Sequence, residues 1–189
     1  MVTVIYLAAA LAGALAAYFV LAAVAGAYLK FRGTRVITCP ETTAPAAVRV
    51  DAKHAALTAV LHEPRLRVND CSRWPEHRAC GQECLRQIEL GPEECLARTM
   101  LAKWYEGKAC VLCGKAFGDI CWLEHRPALM SRERITLEWR ELRPEQLPET
   151  LATHLPVCWN CHVAEMFRRL YPELVLERPT RTRGKWPPP

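Results

Sequence analysis

Cys110-Val-Leu-Cys113-Gly114-Lys115 and Cys158-Trp-Asn-Cys161-His162 are the two stretches on which the reading of this chain turns. A Cys-x-x-Cys turn sets two sulfurs along one edge of a tetrahedron, and two such turns supply four thiolates, a donor set that zinc accepts. Gly114 suits the tight turn that closes the first of them. Taken alone, the second stretch is also a Cys-x-x-Cys-His signature for covalent haem c. Cys158 and Cys161 would then form the thioethers and His162 the axial bond, with Met100, Met130 or another histidine opposite. The compartment of the domain separates the two readings, because thiolate metal sites belong to reducing compartments and haem attachment to exported chains.

The N-terminus bears on the compartment. Residues 1–29 carry no charged side chain and are rich in Ala, Leu and Val, so as a helix they can cross a hydrocarbon core of about 30 Å. No basic residue precedes Lys30, which argues for a retained single-pass anchor over a cleaved signal. Lys30, Arg32 and Arg35 follow at once in a basic juxtamembrane segment, 30–35, and the Lys/Arg bias puts that flank, and the body behind it, in the cytoplasm. Ala9, Gly13 and Ala17, then Ala22 and Gly26, are spaced for close helix approach, a pattern that so Ala-rich a segment also produces by chance.

In its Cys-x-x-Cys-Gly-Lys turn followed by a second Cys-x-x-Cys, the segment from Lys108 to Leu170 resembles the zinc-ribbon proteins. The resemblance implies a small metal-stapled fold with Cys110, Cys113, Cys158 and Cys161 as ligands, and it points to a fold type and no particular family. The chain departs from a compact ribbon in one respect. Forty-four residues separate Cys113 from Cys158, and they include Cys121 and His125 as competing ligands.

Ten cysteines in 189 residues favour metal ligation in a cytosolic protein. Besides the paired knuckles, Cys39, Cys71, Cys80, Cys84 and Cys95 form a second group. The first four are candidates for another all-thiolate zinc site, with His77 as a substitute ligand. An iron–sulfur cluster needs the same donors, although neither ferredoxin cysteine run is present. Free buried cysteines packing as small apolar residues are the plain alternative.

The expected fold class is α+β. After the anchor, 36–107 reads as a mixed hairpin and helical cysteine-rich region: strands at 36–39 and 47–50, helices over 52–62 and 79–90, and a third starting at Pro92 and running to Gly107. The spacing in 79–90 puts Cys80 and Cys84 one turn apart on a single helix face. The zinc-ribbon-like region, 108–177, opens β-rich. Ile135, Leu137 and Trp139 alternate as the inward side of a strand, 144–153 is a short helix, and Val163, Met166, Phe167, Leu170 and Tyr171 recur at helical spacing up to Pro172. Residues 178–189 are basic and end in a proline run, so the tail reads as disordered and solvated, with an anionic lipid surface as its alternative partner.

With both basic ends set aside, 36–177 carries 18 Lys and Arg against 20 Asp and Glu, which is no footprint for nucleic acid. There is no phosphate-binding Gly-rich loop, no His-Glu-x-x-His helix and no nucleophile elbow. Glu124-His125 reads as structural. Cys158-Trp-Asn-Cys161 at a helix start is one element of a thiol–disulfide enzyme, without the strand and helix order that such a domain needs. The sequence thus describes a membrane-anchored, zinc-binding module for interaction or assembly with a protein partner, no small-molecule substrate being evident. A membrane-tethered c-type cytochrome is the alternative.

Overall fold

A computed structural model describes residues 1–60, 63–74, 76 and 79–174. His77 and the basic tail lie outside the described residues, as do the expectations placed on them. The chain divides into two compact units, Met1–Ala97 and a second beginning at Arg98.

Unit 1 starts with helix α1, Val2–Phe31. At 1.5 Å per residue it is about 45 Å long, and it is long and apolar enough to cross a membrane. Only Ala27 and Phe31 of its residues are buried. Its end shows how the apolar helix joins the polar body. The last carbonyls of a helix lack intrahelical partners, and here the fully buried Arg35 supplies donors, to Phe31 O at 2.7 Å and to Lys30 O. The same guanidinium reaches Gly33 O at 3.3 Å and Pro92 O at 3.2 Å. Arg35, expected among the surface charges beside the membrane, is therefore an internal clamp. Gly33 makes the reversal into the next strand, at φ +100° and so close to Leu96 that a Cβ would lie 2.9 Å from its Cδ1.

Strands β1 (Thr34–Thr38), β2 (Pro45–Val50) and β3 (Val68–Cys71) form an antiparallel sheet in that order, with Val36 opposite Ala47 and Val48 opposite Cys71. Helix α2, Ala52–Thr58, is capped by Asp51, which accepts the His54 N–H at 3.0 Å, and packs against α1. Phe31, Ile37, Val48, Val50, Val68 and Ile88 form the centre of this core.

The expected helix over 79–90 is cut to α3, Leu85–Leu90. Gln82 sits at φ +56°, a left-handed conformation that ends helical continuity, and its side chain accepts the Val68 N–H at 3.0 Å. Cys84 is thus the residue ahead of the helix, and Cys80 lies in the preceding loop. The next helix likewise starts late. Cys95 O is taken by Val36 N–H at 2.8 Å and Leu96 bridges Arg35, so α4 begins at Ala97 and runs to Tyr105. All but its first residue belongs to unit 2.

In unit 2, β4 (Ala128–Met130) lies between β5 (Thr136–Glu138) and β6 (Leu155–Val157), antiparallel to both. The alternation expected around β5 is only partly present: Leu137 and Trp139 are half-buried, but so is Glu138, while Thr136 is buried and Ile135, just ahead of the strand, is exposed, and the chain leaves the strand at Trp139 in a 3₁₀ turn. Tyr105 O–H donates to Ala128 O at 2.9 Å and Trp104 Nε1–H to Leu151 O at 2.8 Å, which anchors α4 to β4 and to α5, Leu147–Thr153. Helix α6, Trp159–Leu170, follows β6 directly.

Candidate metal centre

The first knuckle is a backbone turn between a short pair of extended residues. Ala109 bridges Ala116, Cys110 N–H donates to Lys115 O at 2.8 Å, and Gly114 N–H returns to Cys110 O at 2.8 Å. Gly114 closes the turn at φ +74°, where a Cβ is costly. Val111 N–H donates to Pro156 O at 3.0 Å, fastening this turn to β6. Because β6 ends at Val157, the second knuckle begins at the sheet's edge, with Cys158 the residue ahead of α6 and Cys161 within its first turn.

This arrangement brings the sulfurs of Cys110, Cys113, Cys158 and Cys161 to within 4.8 Å of one another. The Cys113 and Cys158 sulfurs are 3.7 Å apart. Metal–sulfur bonds of about 2.3 Å in a tetrahedron require sulfurs about 3.8 Å apart, so the four cysteines are placed to hold a metal ion. Cys110 is buried against Met130 and Val157, Cys158 and Cys161 are half-buried, and Cys113 is exposed.

The electrostatics are those of a site built for anionic sulfur. Burial pushes the Cys110 thiol up, but the backbone N–H groups of Cys158, Cys113 and Leu112, with the Cys113 side chain, outweigh it and bring the thiol down to about 7. Cys161 is raised by burial and then by the neighbouring Cys158 and Cys113 sulfurs, and Cys158 is raised mainly by burial. Four sulfurs this close cannot all be ionised without a cation among them. A bound metal supplies it and displaces the remaining protons.

Cys121 and His125, the competing ligands in the insert, are both exposed and stand outside the tetrad, on a depression of about 430 Å³ that Cys158 also lines. His162 is buried, donating its backbone N–H to Cys158 O at 2.9 Å, and its ring lies 5.8 Å from that of Trp159. Its Nδ1 has no hydrogen-bond partner among the described residues. Nothing in this arrangement favours the haem reading.

Cys39, Cys71, Cys80 and Cys84 all line one cavity of about 170 Å³ in unit 1. Their sulfurs are less tightly gathered than those of the tetrad, which is the one group within 4.8 Å among the described residues. Burial pushes the Cys84 thiol up to about 11, with the charges of Cys71, Cys80 and Cys39 adding to it. Cys95 stands apart, its S–H directed to Gly91 O at 3.2 Å and its sulfur beside Arg35. Two functional parts escaped sequence reading. Arg35 carried no signal beyond its charge, and the Val111–Pro156 contact joins residues with no pattern in common. No protein-family model, curated protein or solved structure matches the chain.

Proposed function

We propose that the protein is a single-pass membrane protein whose zinc-stapled domain faces the cytoplasm and serves as an interaction or assembly module for a protein partner. The observation that carries the proposal is the convergence of the Cys110, Cys113, Cys158 and Cys161 sulfurs. Zinc is the metal chosen because an all-thiolate tetrahedron is its usual structural site, closed to substrate. That the tetrad ties the first knuckle to the β6–α6 junction agrees with a stapling role, since a metal there cross-links two chain segments far apart in the sequence.

The interaction reading draws support from α6, on which Val163, Met166, Phe167 and Leu170 are exposed, a row of apolar side chains next to the site. Cytoplasmic placement rests on the basic flank after α1.

Metal analysis with a visible spectrum, on full-length protein made in a host competent for haem attachment, tests the proposal. Zinc without a Soret band is expected. A Soret band surviving denaturation would mean covalent haem at Cys158 and Cys161 and would overturn both the metal and the topology.

A further inference from the structure

We propose that Cys39, Cys71, Cys80 and Cys84 are the ligands of a second zinc ion, held in unit 1 independently of the tetrad in unit 2. Three observations meet in this assignment. The first is selection: four of the five cysteines in the unit face one cavity of about 170 Å³, while Cys95 is engaged elsewhere, its S–H directed to Gly91 O at 3.2 Å.

The second is the form of the backbone turn. In the unit 2 site Cys110 N–H donates to Lys115 O at 2.8 Å, Gly114 N–H returns to Cys110 O at 2.8 Å, and Gly114 holds φ +74°. Cys39 repeats that pattern position for position: its N–H donates to Ala44 O at 2.9 Å, Thr43 N–H returns to Cys39 O at 2.8 Å, and Thr43 holds φ +54°. A non-glycine residue at positive φ is uncommon and persists where the surrounding turn holds it. Cys39-Pro-Glu-Thr is therefore a knuckle carrying one sulfur where Cys110-Val-Leu-Cys113 carries two.

The third is the way the three ligand loops are fastened together. Arg73, behind Cys71, donates to Thr42 Oγ1 at 3.2 Å, joining the Cys71 loop to the Cys39 turn. Gln82, between Cys80 and Cys84, accepts from Val68 N–H at 3.0 Å, joining their loop to the strand that ends in Cys71. A left-handed Gln82 in place of a helical one is what turns Cys80 and Cys84 to the same cavity as the sheet cysteines. Closing the site draws the four sulfurs together and releases their remaining thiol protons to water as zinc enters.

The test uses full-length protein in detergent, zinc as the probe, and two readouts. On metal analysis, wild type should hold about two zinc ions, and both the Cys39→Ser/Cys80→Ser and the Cys113→Ser/Cys158→Ser proteins about one. Because a variant may lose zinc through misfolding, unmodified wild type is also alkylated with N-ethylmaleimide, zinc-loaded and stripped, and mapped by mass spectrometry. Zinc should slow modification of Cys39, Cys71, Cys80 and Cys84 by at least about tenfold and leave the exposed Cys121 unprotected. Equal alkylation of Cys39 and Cys80 in both states, or a single zinc that the Cys113→Ser/Cys158→Ser substitutions abolish, overturns the assignment. Iron with inorganic sulfide in this cavity overturns it as zinc. Failure of the unit 2 reading is seen separately, as zinc content unchanged by those two substitutions.

Discussion

Replacing Cys110 by Ser distinguishes the tetrad from every other ligand set that the sequence permits. A structural zinc site contributes about 10–16 kcal/mol of binding energy at neutral pH, so one ligand of four is worth about 2.5–4 kcal/mol, or a factor of about 10²–10³ in affinity. The fold itself should suffer less. Serine is smaller than cysteine, and the N–H groups of Cys158, Cys113 and Leu112 that face the sulfur can donate to its oxygen, so the added cost is about 1 kcal/mol. The assay is competition for zinc against a chromophoric chelator, run beside Cys121→Ser and His125→Ala. These two side chains are exposed and lie outside the tetrad, and their loss should change affinity less than about twofold, an energy of a few tenths of a kcal/mol. Unchanged binding in Cys110→Ser, or loss of zinc in Cys121→Ser, would refute the reasoning, because either would mean that the sulfurs gathered in the structure are not those that bind.

Zinc affinity at the tetrad should rise with pH, since binding needs thiolates and the raised Cys158 and Cys161 thiols must give up their protons. The protons of Cys158 and Cys161 alone make two displaced, so affinity should fall by at least about 10² per pH unit between pH 8 and 6. The chelator competition repeated at three pH values checks this, and a flat profile would contradict it. Arg35→Met should destabilise unit 1 by about 3 kcal/mol, because four buried or part-buried carbonyl contacts lose a charged donor. Denaturant unfolding in detergent measures it, and a loss below about 0.5 kcal/mol, the scale of an ordinary surface change, would show that the clamp is unimportant. Gly114→Ala should cost about 1 kcal/mol through its positive φ, although a Cβ there meets no neighbour. Thermal unfolding of the zinc-loaded protein reads it, and an unchanged midpoint would mean that the turn is free to adopt another form.

Local chemistry was legible without coordinates: the uncharged run that becomes α1, the glycine that closes the first knuckle, the helix opened by the second, and the α+β character. These depend on composition and short spacings, which act within a few residues. The failures came where distant segments compete for the same backbone groups. Residues 79–84 have helical composition, yet Gln82 turns left-handed and binds Val68. Pro92 could begin a helix, yet Cys95 O is claimed by Val36. In β5 the alternation expected one inward side, yet Thr136 is the buried residue and Leu137, Glu138 and Trp139 are all half-buried, because a three-residue strand holds too little apolar area to dictate its own orientation.

The sequence by itself determined that this protein has a membrane-length apolar helix and an excess of cysteine in knuckle spacings, since both are properties of chain composition and of turns a few residues long. Only the tertiary structure decided which cysteines meet. Cys121 and His125 lie within the same 44-residue insert that separates the knuckles, and nothing local excludes them as ligands. It is the Val111–Pro156 contact and the β6–α6 junction that bring Cys110 and Cys113 to Cys158 and Cys161, because ligation needs sulfurs about 4 Å apart and only packing across the fold sets distances on that scale.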